Sequence, residues 1–250
     1  EIEKLIEEYP ERTKYYGALA EMYEVNGEKE KAIDTYNRLL ELDPDNPAAL
    51  MAAAKIEYNQ GNKQAYFDLM SKAFANPDLD IDSKIMVLYT YIEHFEKRAD
   101  EWPQALDLAG IVIEAHPKEA KAHAIRGDLY YLDQQSEKAL KDYRKSLELE
   151  DGIYNVWQQI LLIEGEMQNF EALLEDAESA IERFPNQAIP NFFLGVAQDH
   201  FEQTDRAIRS FERALMMSST NQSLKAQIYS NLGDIHHRVG NHVASDTCYD

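Results

Sequence analysis

Three histidines lie close together near the end of the chain, in the stretch GDIHHRVGNH of residues 233–242. Imidazole is a common zinc ligand, but zinc requires three or four ligands that converge on one tetrahedral point. In the predicted helix and turn, His236 points into the packing layer, His237 points to the ligand-facing side of the helix, and His242 lies past the turn. The spacing of these residues therefore does not predict a metal site.

The sequence contains little else that could perform catalysis. Cys248 follows His242 by six residues, but a nucleophilic thiol needs a lowered pKa in a cleft, and a packed helix cysteine is the simpler interpretation. There is no glycine-rich phosphate loop, no GxSxG nucleophile elbow and no HExxH zinc motif. We therefore predict no catalytic residue, no cofactor and no enzyme activity.

The charge of the chain limits its partners. The 250 residues include 46 Asp and Glu against 25 Lys and Arg, which gives a formal net charge of −21. This charge repels phosphate backbones and anionic lipid head groups, so nucleic acid and the membrane surface are disfavoured as ligands. No apolar run approaches the ~20 residues of a membrane-spanning helix, and we expect no membrane insertion of this segment.

A repeated pattern predicts the elements that position these residues. Residues 15–46, YYGALAEMYEVNGEKEKAIDTYNRLLELDPDN, contain two amphipathic stretches separated by Asn26–Gly27 and closed by Asp43–Pro44, which predicts a helix, a turn and a second helix. Ala32, near the start of the second helix, has equivalents at intervals of 34, 39, 34, 34, 34 and 38 residues, namely Tyr66, Ala105, Ala139, Leu173, Ala207 and Ser245. Helix-ending prolines share one phase of this pattern, at Pro10, Pro44, Pro117 and Pro185.

A period of 34 residues with these residue types resembles the tetratricopeptide repeat. Small residues let the two helices of a repeat approach closely, and aromatic rings fill the space toward the next repeat. The residues that match the family pattern are Trp157, Leu194–Gly195, Leu232–Gly233, Gly127, Tyr130, Ala139, Tyr143, Phe211 and Ala214. The resemblance implies an all-α fold, a right-handed α-solenoid of antiparallel helix pairs.

We predict one repeat array over residues 1–250. It consists of a partial repeat at 1–12, full repeats at 13–46, 47–80, 81–119, 120–153, 154–187 and 188–221, and a partial repeat at 226–250. About five extra residues in the third repeat are expected in its inter-helix turn, around KRADEWPQ, and STNQSLK lengthens the entry to the seventh. Because both ends cut through a repeat, we expect the natural protein to continue and the exposed terminal repeats to allow self-association.

The resemblance also implies a binding place, the concave groove that the first helix of each repeat lines. Positions that packing does not use lie three or four residues apart on one side of each first helix. The predicted lining consists of Met51, Lys55, Tyr58, Ile85, Tyr89, Asp128, Tyr131, Asn155, Gln158, Phe192, Asp199, His200, Asp234, His237 and Arg238. Aromatic and amide side chains suit an extended or helical peptide, so we predict a non-catalytic protein-protein interaction scaffold.

Other interpretations of this groove stay open. Aromatic rings with Asn, Gln and Asp also suit sugars, so a carbohydrate or envelope-polymer binding module is the second hypothesis. Tyr58, Tyr89 and Tyr131 could equally serve packing between repeats. A cross-repeat metal site is a remote alternative, since neighbouring first helices run roughly parallel about 10 Å apart; its ligands would be Asp199, His200, Asp234 and His237.

One ligand class known in this family is disfavoured, the carboxylate-terminated tail held by a clamp of lysines and asparagines. The groove offers Lys14, Lys55 and Lys121, whereas Gly17, Glu21 and Asp128 occupy the matching Asn and Arg positions. The acidic net charge argues in the same direction.

Three stretches also resemble long tetratricopeptide proteins of the Bacteroidota that usually begin with an export signal. They are LIEEYPERTKYYGALAEMY, FANPDLDIDSKI and VWQQILLIEGEMQNFEALLEDAESAIERFPNQ. This resemblance implies a periplasmic or envelope location, with the cytoplasm as the alternative, since the single cysteine leaves the compartment open.

Overall fold

The computed structural model describes residues 1–94, 96, 99–218 and 221–249. Within these ranges it contains fifteen α-helices, one 3-10 turn at Ala99–Glu101 and no strand, which confirms the all-α prediction. The helices are α1 (Ile2–Glu8), α2 (Thr13–Val25), α3 (Lys29–Leu42), α4 (Pro47–Asn59), α5 (Lys63–Ala75), α6 (Ile81–Glu93), α7 (Trp102–Ala115), α8 (Ala120–Leu132), α9 (Ser136–Leu149), α10 (Tyr154–Glu166), α11 (Phe170–Arg183), α12 (Ala188–His200), α13 (Thr204–Met217), α14 (Gln222–Arg238) and α15 (His242–Tyr249).

Local sequence signals explain where several first helices begin. The Asn46 side chain accepts a hydrogen bond from the Ala49 backbone N–H at 3.2 Å, and Pro47 occupies the first turn of α4. Asp80 caps α6 in the same way, at 2.9 Å from the Ser83 backbone nitrogen. Both side chains satisfy backbone donors that have no partner within the helix, so they stabilise these helix starts.

The turns between paired helices reuse one backbone conformation. Gly27 and Gly61 have φ values of +76° and +85°, in the left-handed region that glycine adopts without strain. The last pair again uses glycine, Gly240 at φ +77°, whereas three repeats between use other residues at this place. Gln134, Gln168 and Glu202, with φ values of 58°, 56° and 55°, lie 34 residues apart and hold the same left-handed conformation.

The markers of the repeat pattern form the core of the helix pairs. All seven are buried, namely Ala32, Tyr66, Ala105, Ala139, Leu173, Ala207 and Ser245. First-helix aromatic residues also bond backward to the end of the preceding helix. The Tyr16 hydroxyl donates to the Pro10 carbonyl at 3.0 Å, and the Trp157 indole N–H donates to the Asp151 carbonyl at 2.8 Å.

The chain forms two compact units, residues 1–135 and 136–250, and the division falls between α8 and α9. In the first unit α2 packs on α3, α4 on α5, and α6 and α8 both on α7. Its largest core cluster joins side chains of α4 to α8, among them Phe74, Leu88, Tyr91 and Leu108.

A lysine replaces the first-helix aromatic residue in α6. The fully buried Lys84 ammonium donates to the carbonyls of Phe74 and Asn76 at 2.7 and 2.8 Å, and it lies 2.7 Å from His116 Nε2. Burial lowers the pKa of Lys84 to about 8. Burial and the adjacent Lys84 charge also lower the pKa of His116. The buried Lys84 ammonium thus has three hydrogen-bond acceptors, at a position that an aromatic ring occupies in α2 and α10.

In the second unit the helices form two layers. The first helices α10, α12 and α14 contact one another in sequence, and the second helices α11, α13 and α15 each contact their partners. Close approach depends on glycine, because a Cβ atom at Gly195 would lie 2.9 Å from the Phe211 ring, and one at Gly233 would lie 2.5 Å from the Tyr249 ring. These contacts confirm the packing role predicted for both glycines.

Two regions differ from regular helix pairs. Helix α14 begins at Gln222 and is 17 residues long, so residues 222–225 of STNQSLK belong to this helix, while residues 219 and 220 lie outside the described residues. The connection between α6 and α7 is longer than the other inter-helix turns, but residues 97 and 98 of KRADEWPQ lie outside the described residues. None of the described helices is long and apolar enough to cross a membrane.

Candidate functional site

Most of the predicted lining residues lie at the protein surface. Eight are exposed, namely Lys55, Tyr58, Tyr89, Asn155, His200, Asp234, His237 and Arg238. Five are half-buried, namely Met51, Asp128, Tyr131, Gln158 and Asp199.

Two predicted lining residues belong to the core instead. Ile85 is 8% exposed and is part of the central cluster of the first unit. Phe192 is also 8% exposed, and its ring lies 5.2 Å from Phe193 and 5.8 Å from Phe211. Neither side chain is available to a ligand, so the prediction is wrong for both. The neighbouring helices close over these positions because both side chains are large and apolar.

In the first unit the structure brings Tyr89 of α6 near Asp128 of α8. The pKa of Tyr89 is raised by partial burial and by the negative charge of Asp128. An ion pair between Lys121 and Asp82 also joins these two helices. Tyr58 lies elsewhere, with its ring 5.0 Å from Tyr66 of the paired helix. This part of the surface therefore presents one ring beside a carboxylate, and Tyr58 contributes partly to packing.

In the second unit the structure joins three predicted residues. The Arg238 guanidinium at the end of α14 donates to the Asp199 carboxylate at the end of α12. His200 stacks on Phe170, the first residue of α11, with ring centroids 3.8 Å apart and ring planes 18° apart. Residues from three helices thus meet where α12 and α14 end.

These side chains border a cleft of about 750 Å3. The lining combines apolar side chains, both signs of charge, an amide and a hydroxyl, contributed by Phe170, Val196, Asp199, His200, Glu202, Thr204, Asn231, Arg238 and Val239. We refer to these nine residues as the α12–α14 cleft. Its guanidinium donates, its carboxylates accept, and its stacked rings offer contact area, which is the mixture that a polypeptide segment needs.

The histidines of GDIHHRVGNH are arranged differently from the prediction. The rings of His237 and His242 meet across the turn, with centroids 5.3 Å apart, so these two residues do not diverge. Asp234 faces α15, where its carboxylate accepts a hydrogen bond from the Tyr249 hydroxyl at 2.6 Å. Within the part of the chain that the structure describes, no three His, Cys, Asp or Glu side chains are grouped so that they could hold a metal ion.

The single thiol lies in an unreactive setting. Cys248 is half-buried and packs against the apolar cluster of the second unit. Burial raises its pKa, which reduces the thiolate fraction that a nucleophile requires.

The sequence interpretation missed six residues of the α12–α14 cleft. They come from second helices, from turns and from unassigned first-helix positions, and they are Phe170, Val196, Glu202, Thr204, Asn231 and Val239. A sequence signal for part of this set exists, because Glu202 occupies the left-handed turn position that follows Asp199 and His200 in the repeat.

Comparisons with known proteins agree with this architecture. Two family models described as tetratricopeptide repeat match the chain, at residues 13–56 and 96–152. No curated protein matches it. The chain is similar to a solved structure of the C-terminal part of a TPR repeat-containing protein from Cytophaga hutchinsonii, with 12% identity, coverage of 93% of this chain and 92% of that chain, and a TM-score of 0.63.

A second similar structure is MamA, from residue 41 to its end, of Desulfovibrio magneticus RS-1. It is 16% identical, with coverage of 66% of this chain and 91% of that chain and a TM-score of 0.55. At these identities the structural similarity establishes the fold alone. The family matches identify tetratricopeptide repeats in residues 13–56 and 96–152, and the chain shares its helical architecture with a solved TPR structure.

Proposed function

We propose that this protein is a non-catalytic scaffold that binds a peptide or protein segment on the face formed by its first helices. The α12–α14 cleft carries this proposal. It gathers an Arg–Asp pair and a stacked His–Phe pair at one place. A partner side chain could lie against the rings while its backbone bonds to the charged and amide groups.

The charges of the cleft favour a polypeptide over a simple ion. Arg238 is paired with Asp199, and Glu202 adds a second carboxylate, so the cleft has no excess of positive charge. The Asp199 side chain is 24% exposed and the Arg238 side chain 54% exposed, so both remain accessible at the rim. A polypeptide offers donors and acceptors in alternation, which matches such a mixed lining.

Sugar binding has less support among the predicted lining and cleft residues of the second unit. A sugar ring stacks on an exposed aromatic face, whereas Phe192 is buried and Phe170 is covered on one face by His200. Tyr89 is the most exposed aromatic residue of the predicted lining, at 48%, and it belongs to the first unit.

Selection from a random peptide library on the immobilised 250-residue chain tests the proposal. We expect selected peptides to bind with micromolar affinity, measured by fluorescence polarisation with labelled peptide. Arg238→Ala should weaken this binding by about 10- to 100-fold, because it removes charge-assisted hydrogen bonds worth about 1.5–3 kcal/mol.

Arg213→Ala is the matched control, since Arg213 is an exposed arginine of α13 outside the cleft. It should leave peptide affinity unchanged. Equal losses in both variants would contradict binding at the cleft and indicate non-specific charge effects. If glycans bind instead of peptides, and Tyr131→Ala abolishes that binding, the carbohydrate hypothesis would replace the present one.

A further inference from the structure

A buried carboxyl group links three helices of the second unit. Glu164 of α10 has no exposed surface, and its Oε1 atom accepts a hydrogen bond from Arg144 of α9. The same Arg144 guanidinium donates to Asp176 of α11 at 2.9 Å. Arg144, Glu164 and Asp176, which we call the carboxyl cluster, thus lie where α10 packs against α9 and α11.

The carboxyl cluster has one negative charge too many for its single cation. With both acids ionised, two carboxylates share one guanidinium, and an uncompensated buried charge is strongly unfavourable. The second oxygen of Glu164, Oε2, is buried and has no hydrogen-bond partner. An ionised Asp176 cannot supply a donor to it, because carboxylate oxygens only accept. One added proton removes both problems, since it neutralises the excess charge and supplies a donor between the two acids.

We propose that Glu164 holds a proton in the folded protein, and that release of this proton weakens the packing of α10 against α9 and α11. The proton acts as a built-in pH sensor of the second unit. Because α10 also carries Asn155 and Gln158 of the predicted lining, the sensor would regulate part of the binding face, and this last link rests on the proposed function.

The surrounding charges support the proposal. Burial raises the pKa of Glu164 to about 8, and the neighbouring Asp176 and Glu175 of α11 act in the same direction. The Arg144 charge from α9 opposes them and does not overcome them. Helix α12, which also packs on α10, has Asp199 and His200 as its titratable residues, and these are engaged with Arg238 and Phe170.

The direction of the pH effect follows from the proton count. An unfolded glutamate ionises near its ordinary pKa of 4.5, whereas the folded protein keeps the proton to about pH 8. Between these values the folded state binds more protons than the unfolded state, so stability must fall as pH rises. The stabilisation is complete below about pH 4.5 and is lost as the pH rises to about 8.

Urea unfolding of the full chain at pH 5.5, 7 and 8.5 tests the sensor, with Glu164→Gln as the main variant. The glutamine amide mimics the protonated acid, because it can accept from Arg144 and donate to Asp176. We expect the unfolding equilibrium constant of the wild type, relative to that of Glu164→Gln, to rise by at least about tenfold from pH 5.5 to 8.5, which corresponds to one pKa unit.

Glu178→Gln is the control, since it removes one exposed carboxylate from α11. Its pH dependence should parallel that of the wild type. Carboxyl carbon NMR of the wild type gives an independent measurement, in which the Glu164 signal should titrate well above pH 6. A Glu164 signal that titrates near pH 4.5, or a Glu164→Gln variant whose pH dependence parallels that of the wild type, would overturn the proposal. Neither measurement requires a ligand, so both can fail while the binding function stands.

Discussion

The side chain of Lys84 illustrates how one residue can satisfy a packing position with polar atoms. It occupies the place of Tyr16 and Trp157, yet it donates to two carbonyl groups that end α5 and contacts His116. The sequence predicted a first helix here, but nothing in the repeat pattern indicated that its amine would be buried. The acceptors come from residues up to 32 positions away, and only the folded arrangement brings them together.

We expect Lys84→Met to destabilise the chain at pH 7 by about 1–3 kcal/mol, because buried carbonyl groups lose their donor. The pH dependence gives a sharper test. Since the folded pKa of about 8 lies below the unfolded value of 10.5, the unfolded state binds more protons in this range, and wild-type stability should rise from pH 8 to 10.5.

The measurement is urea unfolding across that range, and the rise should be absent in Lys84→Met. Lys72→Ala, at an exposed lysine of α5, should change stability by less than about 0.5 kcal/mol. A rise that persists in Lys84→Met would assign the pH dependence to other groups.

The helices themselves were the most predictable elements. The first helices α2, α4, α6, α8, α10 and α12 begin at residues 13, 47, 81, 120, 154 and 188, where the sequence pattern begins its repeats. Hydrophobic periodicity and turn residues are local signals, so they can be recognised in the sequence without knowledge of the tertiary structure. The burial of Ile85 and Phe192 could not be read in this way, because it depends on how closely neighbouring helices approach.

The backbone conformation of the inter-helix turns also affects stability. Gln168 holds a left-handed backbone at φ 56°, which costs a residue with a side chain about 1 kcal/mol or more. We therefore expect Gln168→Gly to stabilise the second unit by about 0.5–1 kcal/mol, as measured by thermal or urea unfolding.

Gly61→Ala is the reciprocal variant. A Cβ atom there meets no other atom within 4 Å, so the backbone conformation alone is tested. This variant should lose about 1 kcal/mol. If Gln168→Gly is neutral or destabilising, the left-handed turn is not a source of strain in this protein.

At the scale of the whole molecule the dominant property is charge. The net charge of −21 is spread over both units, since residues 1–135 contain 27 acidic and 15 basic side chains and residues 136–250 contain 19 and 10. Acidic side chains in excess repel one another in the folded state more than in an expanded chain. This property could be read from composition, whereas the α12–α14 cleft and the carboxyl cluster required the structure.

Salt should therefore stabilise the protein. We expect the midpoint of thermal unfolding to rise by about 2–5 °C when sodium chloride is increased from about 20 to 300 mM at pH 7.5, because screening shortens the range of repulsion. Potassium chloride at equal ionic strength should give the same shift. A midpoint that falls with salt would indicate that attractive ion pairs, such as Arg183 with Asp151, outweigh the repulsion.

The backward hydrogen bonds of Tyr16 and Trp157 have a consequence for how such a chain can change its length. Each bond spans six residues across the boundary between one repeat and the next. Duplication or deletion of a 34-residue segment whose ends lie between the helices of a pair leaves such a bond intact, because donor and acceptor then lie in the same segment. Insertions at the boundary would break it, whereas insertions between the helices of a pair, as in the third repeat, do not. The number of repeats is thus free to vary during evolution, while the junction between them is constrained.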